Sequence, residues 1–209
     1  MTPDPKHQEL ADLGSATVYE AGGRGRYVDA DLIQLLPGTS VAGPARTVLC
    51  GQDDNLMVHS AMAAVEPGEV LVLTMPEPRP VALVGDLLAT QAKAHGAAGI
   101  LIDASVRDVD ELAELGLPIW ARWVRIRGAA KNIRGSIGEP ITVGGATINQ
   151  GDILILDADG VAIVEPERVD EVLEASRERE KRERVKRLKL QAGELSYDLD
   201  GLRERVETS

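Results

Sequence analysis

The 209-residue chain has no phenylalanine; two Trp and three Tyr are its only aromatic side chains. So few rings leave no platform for stacking bases, which excludes recognition of single-stranded nucleic acid by that route. Positive charge is also short: 23 Lys and Arg stand against 34 Asp and Glu, a net −11. A protein whose main partner is a phosphate backbone needs a basic face, so nucleic acid is not expected as a partner. The single cysteine, Cys50, rules out an intrachain disulfide and a cysteine-rich zinc site. Within Val48-Leu49-Cys50 it reads as a buried, inert thiol. No apolar run approaches the roughly 18–20 residues of a membrane-spanning helix, so no membrane partner is expected. No apolar segment follows Met1-Thr2-Pro3-Asp4-Pro5-Lys6, so a cytoplasmic location is expected.

What is present is an aliphatic, soluble-type composition, with 44% hydrophobic and 27% charged residues, enough for one substantial core. Residues 7–23 read as one or two short helices, with Ser15 as a candidate N-cap and glycines at 22, 23 and 25 closing the segment. Ser40 to Cys50 reads as a strand that Gly43-Pro44 would place at an edge or bulge. Asn55 to Val65 has helical spacing, and Glu69 to Met75 is a short buried strand. Val81 to Val84 leads into Gly85-Asp86-Leu87-Leu88, which opens an Ala-rich helix running to about His95. A strand Gly99 to Asp103, a helix Val109 to Leu115 and a strand Leu117 to Trp123 follow. This alternation specifies an α/β layered fold. From Arg127 to Gly151 glycines and β-branched residues dominate. Ile153 to Leu156 and Val161 to Val164 form a hairpin about Asp157-Ala158-Asp159-Gly160, so a second sheet is expected beside the first.

The chain divides at about residue 165. Residues 1–165 form the α/β domain, and 166–209 a helical extension expected to pack on a neighbouring subunit. Residues 175–190 carry a local +5 on a body of −16, with few apolar positions, as in a long exposed helix laced with i,i+3 and i,i+4 ion pairs.

Two segments could carry chemistry. A strand, a glycine and a helix start at Gly85-Asp86 expose free backbone N–H groups at the positive end of a helix. They form either a site for a small anion or a plain strand-to-helix turn. Arg107-Asp108 follows the strand after that helix, where ligands gather in α/β sheets. Arg107 offers a two-donor fork for a carboxylate, and Asp108 a hard oxygen for Mg²⁺. The alternative is a solvated arginine and a helix-capping aspartate. The three histidines (7, 59 and 95) are scattered, so a zinc or di-iron site is not expected. Nothing around Lys131 marks it as a Schiff-base lysine, and Ser105 lacks the setting of a serine nucleophile.

Taken together, Thr17-Val18-Tyr19-Glu20-Ala21, Asp54-Asn55-Leu56, Gly85 to Ala92, Asp103-x-x-Val106-Arg107-Asp108, Arg127-Gly128-Ala129-Ala130-Lys131 and Gly151-Asp152 with Asp157 to Val161 have a familiar order and spacing. The sequence resembles the 4-hydroxy-4-methyl-2-oxoglutarate/4-carboxy-4-hydroxy-2-oxoadipate aldolases, which share a fold with the regulator of ribonuclease E activity. The resemblance covers residues 14–205, and Gly193-Glu194-Leu195-Ser196 is similar to the aldolase branch. It implies an α-β-β-α sandwich of the swivelling β/β/α type with a C-terminal helical extension. It also implies a homotrimer or homohexamer with its site at a subunit interface, serving the catabolism of aromatic compounds.

The activity implied is a class II aldolase, dependent on Mg²⁺ or Mn²⁺, that releases pyruvate and a second 2-oxo acid, with oxaloacetate decarboxylase side activity. By the same resemblance, Gly85, Asp86, Leu87 and Leu88 with Arg107 hold the pyruvyl group. Asp108 ligates the metal, Asp86 supports its water shell, and Asn55 lies at the pocket. Glu20 and Glu183, from an adjacent subunit, flank the reacting carbon. Ala104, Val124, Arg125 and Ser136 to Pro140 depart from the family pattern and bear on the distal end of the substrate. The alternative function is a non-catalytic regulator that binds a ribonuclease.

Overall fold

Alternation along the strands sets the layers. In a computed structural model that describes residues 4–207, the elements run in chain order. They are α1 (Pro5–Leu13), α2 (Ser15–Ala21), β1 (Arg26–Tyr27), β2 (Ile33–Gln34), β3 (Val41–Leu49), α3 (Leu56–Ala61), β4 (Val70–Thr74), β5 (Ala82–Val84), α4 (Asp86–Ala94) and β6 (Gly99–Val106). Then come α5 (Val109–Leu115), β7 (Ile119–Val124), β8 (Ser136–Ile137), β9 (Ile141–Val143), β10 (Ala146–Ile148), β11 (Ile153–Leu156), β12 (Val161–Val164), α6 (Val169–Gln191), α7 (Ser196–Leu199) and α8 (Leu202–Glu207). Val70 and Val72 of β4, Leu101 of β6 and Trp120 of β7 face Leu154, Leu156, Val161 and Ile163 of β11 and β12. The residues between them in sequence, Leu71, Leu73, Ile100, Ile102 and Ile119, face α3, α4 and α5 through Val58, Leu88, Ala89, Ala92 and Leu112. The other face of the β11–β12 hairpin, Ile153, Ile155, Ala162 and Val164, packs on Leu10, Val18, Val169, Val172 and Leu173 of α1, α2 and α6. Three cores between four layers make an α-β-β-α sandwich. Strands buried on both faces read as continuous apolar runs, and each fully buried aliphatic side chain contributes about 1.5–3 kcal/mol.

The sheet order is β1-β12-β11-β3-β4-β6-β7-β2, with β5 on β6 and β8 on β3. Strand β3 belongs to both sheets. Residues 41–44 pair antiparallel with β11, and 45–49 pair parallel with β4. Of the two placements expected for this strand, an edge or a bulge, the edge does not hold: β3 is central, and Pro44 sits where one partner hands over to the other. At that handover a missing N–H interrupts neither ladder's interior. Gly43 is required there, because a Cβ would overlap the Gly68 carbonyl.

Three other expectations are corrected. Helix α3 stops at Ala61, and the apolar residues that follow, Met62 and Val65, are buried from turns. Strand β6 continues past Asp103 to Val106 through an irregularity between Ile102 and Ser105. Ser15 does not cap α2; Gly14 holds the cap position. Instead the Ser15 N–H and hydroxyl both donate to the Asp157 carboxylate, at 2.6 Å each, tying α2 to the β11–β12 turn.

Helix α6 changes character along its length. Val169, Val172, Leu173 and Ser176 are buried, whereas Val185, Leu188 and Leu190 are exposed. No helix of the described residues is long and apolar enough to cross a membrane. Cys50 is buried, and burial pushes its thiol up to about 12, as an inert core group requires.

Candidate active site

Strands β5 and β6 are parallel neighbours, so their carboxyl ends open on the same side of the sheet. Gly85 follows β5 and starts α4, while Arg107 and Asp108 follow β6 and start α5. These two turns form the floor of a cavity of about 190 Å³, lined also by Asn55, His59, Leu83, Leu87, Leu88, Gly128, Ala129 and Lys131.

Asp108 occupies the N-cap position of α5 in the left-handed region, φ +62°, without capping that helix through its side chain. A non-glycine residue held there marks a constraint from the surroundings. Its Oδ2 instead accepts from the Asp86 N–H at the start of α4 (3.2 Å) and lies 3.6 Å from Arg107 Nε. Gly85 permits this approach. A Cβ there would overlap Asp108 Oδ2 and crowd Arg107 Cγ and Nε to 3.3 Å. The Arg107 backbone N–H bonds the Val84 carbonyl (3.2 Å), which locks the two turns together. The arginine side chain is half exposed to the cavity.

Asp86 opens α4, and its Oδ1 accepts from Leu87 N–H at 2.7 Å. The first-turn amides of α4 have no backbone acceptor one turn back; the Asp86 and Leu87 N–H groups donate to the Asp108 and Asp86 carboxylates, and the helix dipole adds positive potential there. Asn55 is 7% exposed. Its Nδ2 donates to the Leu83 carbonyl at 2.9 Å, while its Oδ1 is buried without a partner. A buried acceptor left open at a cavity wall suits a donor from a bound molecule.

The sequence-predicted residues thus fall into two groups. Gly85, Asp86, Leu87, Leu88, Asn55, Arg107 and Asp108 converge on one cavity. Glu20 and Glu183 are not among its lining residues. They meet each other elsewhere on the chain, at Arg179: Glu20 Oε2 lies 3.8 Å from Arg179 Nη1, and Glu183 Oε1 lies 2.8 Å from Nη2. Arg24 closes the group, its Nε 3.2 Å from Glu20 Oε2. Two cavity residues escaped the sequence reading. His59 was set aside for lack of a histidine partner, and Lys131 for lack of a desolvated setting. The signal for His59 was its spacing, since i and i+4 share a helix face and Asn55 lies four residues before it. For Lys131 no local signal existed, because the loop that carries it is placed by contacts with residues 51–55.

Asp108 and Asp86 both line the cavity, and among the described residues no group of three or more His, Cys, Asp or Glu converges to cage a metal. One or two carboxylates with room for water are the donor set that Mg²⁺ takes, since it keeps much of its hydration shell. The residues present therefore fit the cation that the resemblance implies.

Fold and cavity together define an α/β protein with a helix start and an arginine side chain at the carboxyl ends of adjacent parallel strands. The family model described as "RraA-like: Aldolase/RraA" matches residues 9–163, and the chain belongs to this RraA-like family. A relative from Halalkalibacterium halodurans, named "Putative 4-hydroxy-4-methyl-2-oxoglutarate aldolase", is 36% identical over 140 residues, 67% of each chain. Among solved structures, Streptomyces coelicolor RraAS2, titled an unusual member of the RNase ES inhibitor RraA protein family, superposes with a TM-score of 0.80 at 28% identity. That match covers 90% of this chain and all of that one. The RNA-processing inhibitor RraA from Thermus thermophilis superposes at 0.67 with 25% identity, over 72% of this chain and 92% of that one.

Proposed function

We propose that this chain is a divalent-metal-dependent aldolase that cleaves 4-hydroxy-2-oxo di- or tricarboxylic acids to pyruvate and a second 2-oxo acid. The observation that carries the reading is the convergence of Arg107 and Asp108 on the Gly85–Leu88 helix start. The amides there suit a carboxylate, and the guanidinium beside them suits an oxygen that gains negative charge. Retro-aldol cleavage makes such an oxygen. The 4-hydroxyl loses its proton, the C3–C4 bond breaks, and its electron pair passes into the enolate of pyruvate, which is then protonated at C3. Arg107 binds the enolate oxygen through its planar fork, and the α4 amides hold the carboxylate at C1. Mg²⁺ or Mn²⁺, when bound by Asp108 and supported by Asp86, would supply Lewis-acid stabilisation to the same charge. Asn55 Oδ1 is open to a hydroxyl donor, and His59 and Lys131 line the remainder of the wall. Decarboxylation of oxaloacetate passes through the same enolate and is expected as a side activity.

Glu20 and Glu183 enter this reading from a neighbouring subunit of a homotrimer or homohexamer. Three features support assembly. Leu87 at the cavity is 80% exposed and Ile126 is 93% exposed, the distal half of α6 exposes Val185 and Leu188, and that basic helix contrasts with an acidic body. A coupled assay of pyruvate release tests the reading. Activity is expected to need Mg²⁺, to vanish with EDTA and to fall at least about 10³-fold in Asp108→Ala. Metal-independent turnover, or an active Asp108→Ala, would sink it.

The RraA titles among the structural relatives favour a second reading, a non-catalytic regulator that binds a ribonuclease. Capture of ribonuclease E-type enzymes by a chain that releases no pyruvate would establish it.

A further inference from the structure

The outer wall of the cavity is not part of either helix layer. Gly128, Ala129 and Lys131 line it from an irregular segment, residues 127–133, that crosses from the end of β7 towards β8. Most side chains of this segment are exposed, and at its start the Arg127 carbonyl accepts from the Ala82 N–H of β5 (2.7 Å). Beyond that bond its backbone is fastened to residues 53–55. Ala130 N–H donates to the Asp53 carbonyl (2.9 Å), and Asn55 N–H donates to the Ala130 carbonyl (2.8 Å). Asp53 Oδ2 takes Arg127 Nη2 at 3.2 Å. At the centre is Asp54, a fully buried carboxylate. Its Oδ2 accepts from the Asn132 and Ile133 N–H groups at 2.6 and 3.1 Å, and its Oδ1 accepts from the Leu56 N–H at 2.8 Å, at the start of α3.

We propose that Asp54 is a positioning residue for the active site: through one carboxylate it fixes the 127–133 strap, with Lys131, against the helix start that carries Asn55 and His59. The proposal rests on the aldolase reading for its functional consequence and on the hydrogen bonds alone for its structural one. The 127–133 strap and the Asn55 start of α3 both hang from Asp54, whereas their bonds towards the pyruvyl side, Asn55 Nδ2 to the Leu83 carbonyl and the Ala82 N–H to the Arg127 carbonyl, do not involve it. Burial raises the cost of ionising this group. The three backbone N–H donors and the nearby Lys131 nevertheless hold it below the usual carboxylate range, so it accepts as an anion at neutral pH. An amide in its place keeps the size but has one acceptor oxygen for two sets of donors, so its NH₂ must face either the Leu56 N–H or the Asn132 and Ile133 N–H groups.

The test compares the wild type with Asp54→Asn by amide hydrogen exchange and by kinetics. In the wild type, the Asn132 and Ile133 amides are expected to exchange slowly although their side chains are exposed. In Asp54→Asn their exchange should rise about five- to tenfold, the scale of one lost hydrogen bond, while β4 and β6 are unchanged. In the same variant, KM for a 4-hydroxy-2-oxo dicarboxylate should rise on the order of tenfold or more, whereas exchange of the C3 protons of pyruvate stays within about twofold. Lys131→Ala should reproduce the rise in KM, and this holds the proposal to account where Asp54→Asn does not fold. Fast wild-type exchange at 132–133, an equal fall in pyruvate exchange and cleavage, or an unchanged KM in Lys131→Ala would overturn it. A wild type inactive in both pyruvate assays removes the aldolase reading, and the amide-exchange result then decides alone whether Asp54 holds the strap.

Discussion

At Gly85 a missing side chain matters as much as any that is present. The residue is extended and so has no need of glycine on conformational grounds. Its need is steric, because a Cβ would occupy the space of the Asp108 carboxylate. Gly85→Ala therefore tests the convergence on which the mechanism rests without removing a chemical group. The expected result is a folded protein with near-normal melting and a fall in kcat/KM of about 10²-fold, since displacement of a catalytic group by about 1 Å costs that much. Near wild-type turnover would mean that Asp108 need not sit against the helix start. The sequence made the residue types at this site legible, because an arginine fork and an aspartate after a strand carry their own chemistry. It left open whether Asp108 caps α5 or leaves it, since that depends on a left-handed backbone that no spacing rule specifies. His59 and Lys131 were missed because a cavity wall is assembled from contacts between distant segments.

Elements were legible where a pattern is local. The β11–β12 hairpin and α5 fall on the expected residues, since short apolar runs, Asp-Gly turn chemistry and a closing glycine act within a few positions. For strand β3 an edge or a bulge was expected because Pro44 was weighed against one sheet, whereas the strand is central and serves two. Ser15 was read as a local cap because N-cap signals are local; the structure uses it across 142 residues, against Asp157. That bond gives the prediction at this scale. Ser15 is 4% exposed, so Ser15→Ala leaves Asp157 Oδ1 with one fewer donor in a half-buried place. A loss of about 1–3 kcal/mol in denaturant unfolding is expected, with pyruvate release unchanged in the folded protein. A loss below about 0.5 kcal/mol would show that the α2–hairpin tie is only an exposed contact.

At the scale of the molecule, the Gly85 cavity and the Glu20–Glu183 pair lie apart within one chain. The Gly85 cavity has a floor and two walls but lacks Glu20 and Glu183, which stand together at Arg179. The distal half of α6 carries basic charge and exposed apolar residues past the core. A closed ring resolves this if each subunit lends its Glu20–Glu183 face to the next cavity, since a heterologous contact repeated around an axis leaves every site complete. The consequence is separable by complementation. Asp108→Ala and Glu183→Gln chains are each expected to be inactive or nearly so as pure assemblies. Mixed at equal amounts by refolding or co-expression, about a quarter of the junctions in a closed ring would pair an intact Asp108 with an intact neighbouring Glu183. Pyruvate release should then recover to about that fraction of wild type. If both residues act within one chain, every mixed site still carries a defect and no activity returns. If Glu183 belongs only to the solvated ion pairs of α6, Glu183→Gln is active by itself and mixing changes nothing beyond dilution. Recovery on mixing is thus the outcome that joins the basic helix to the cavity of another copy.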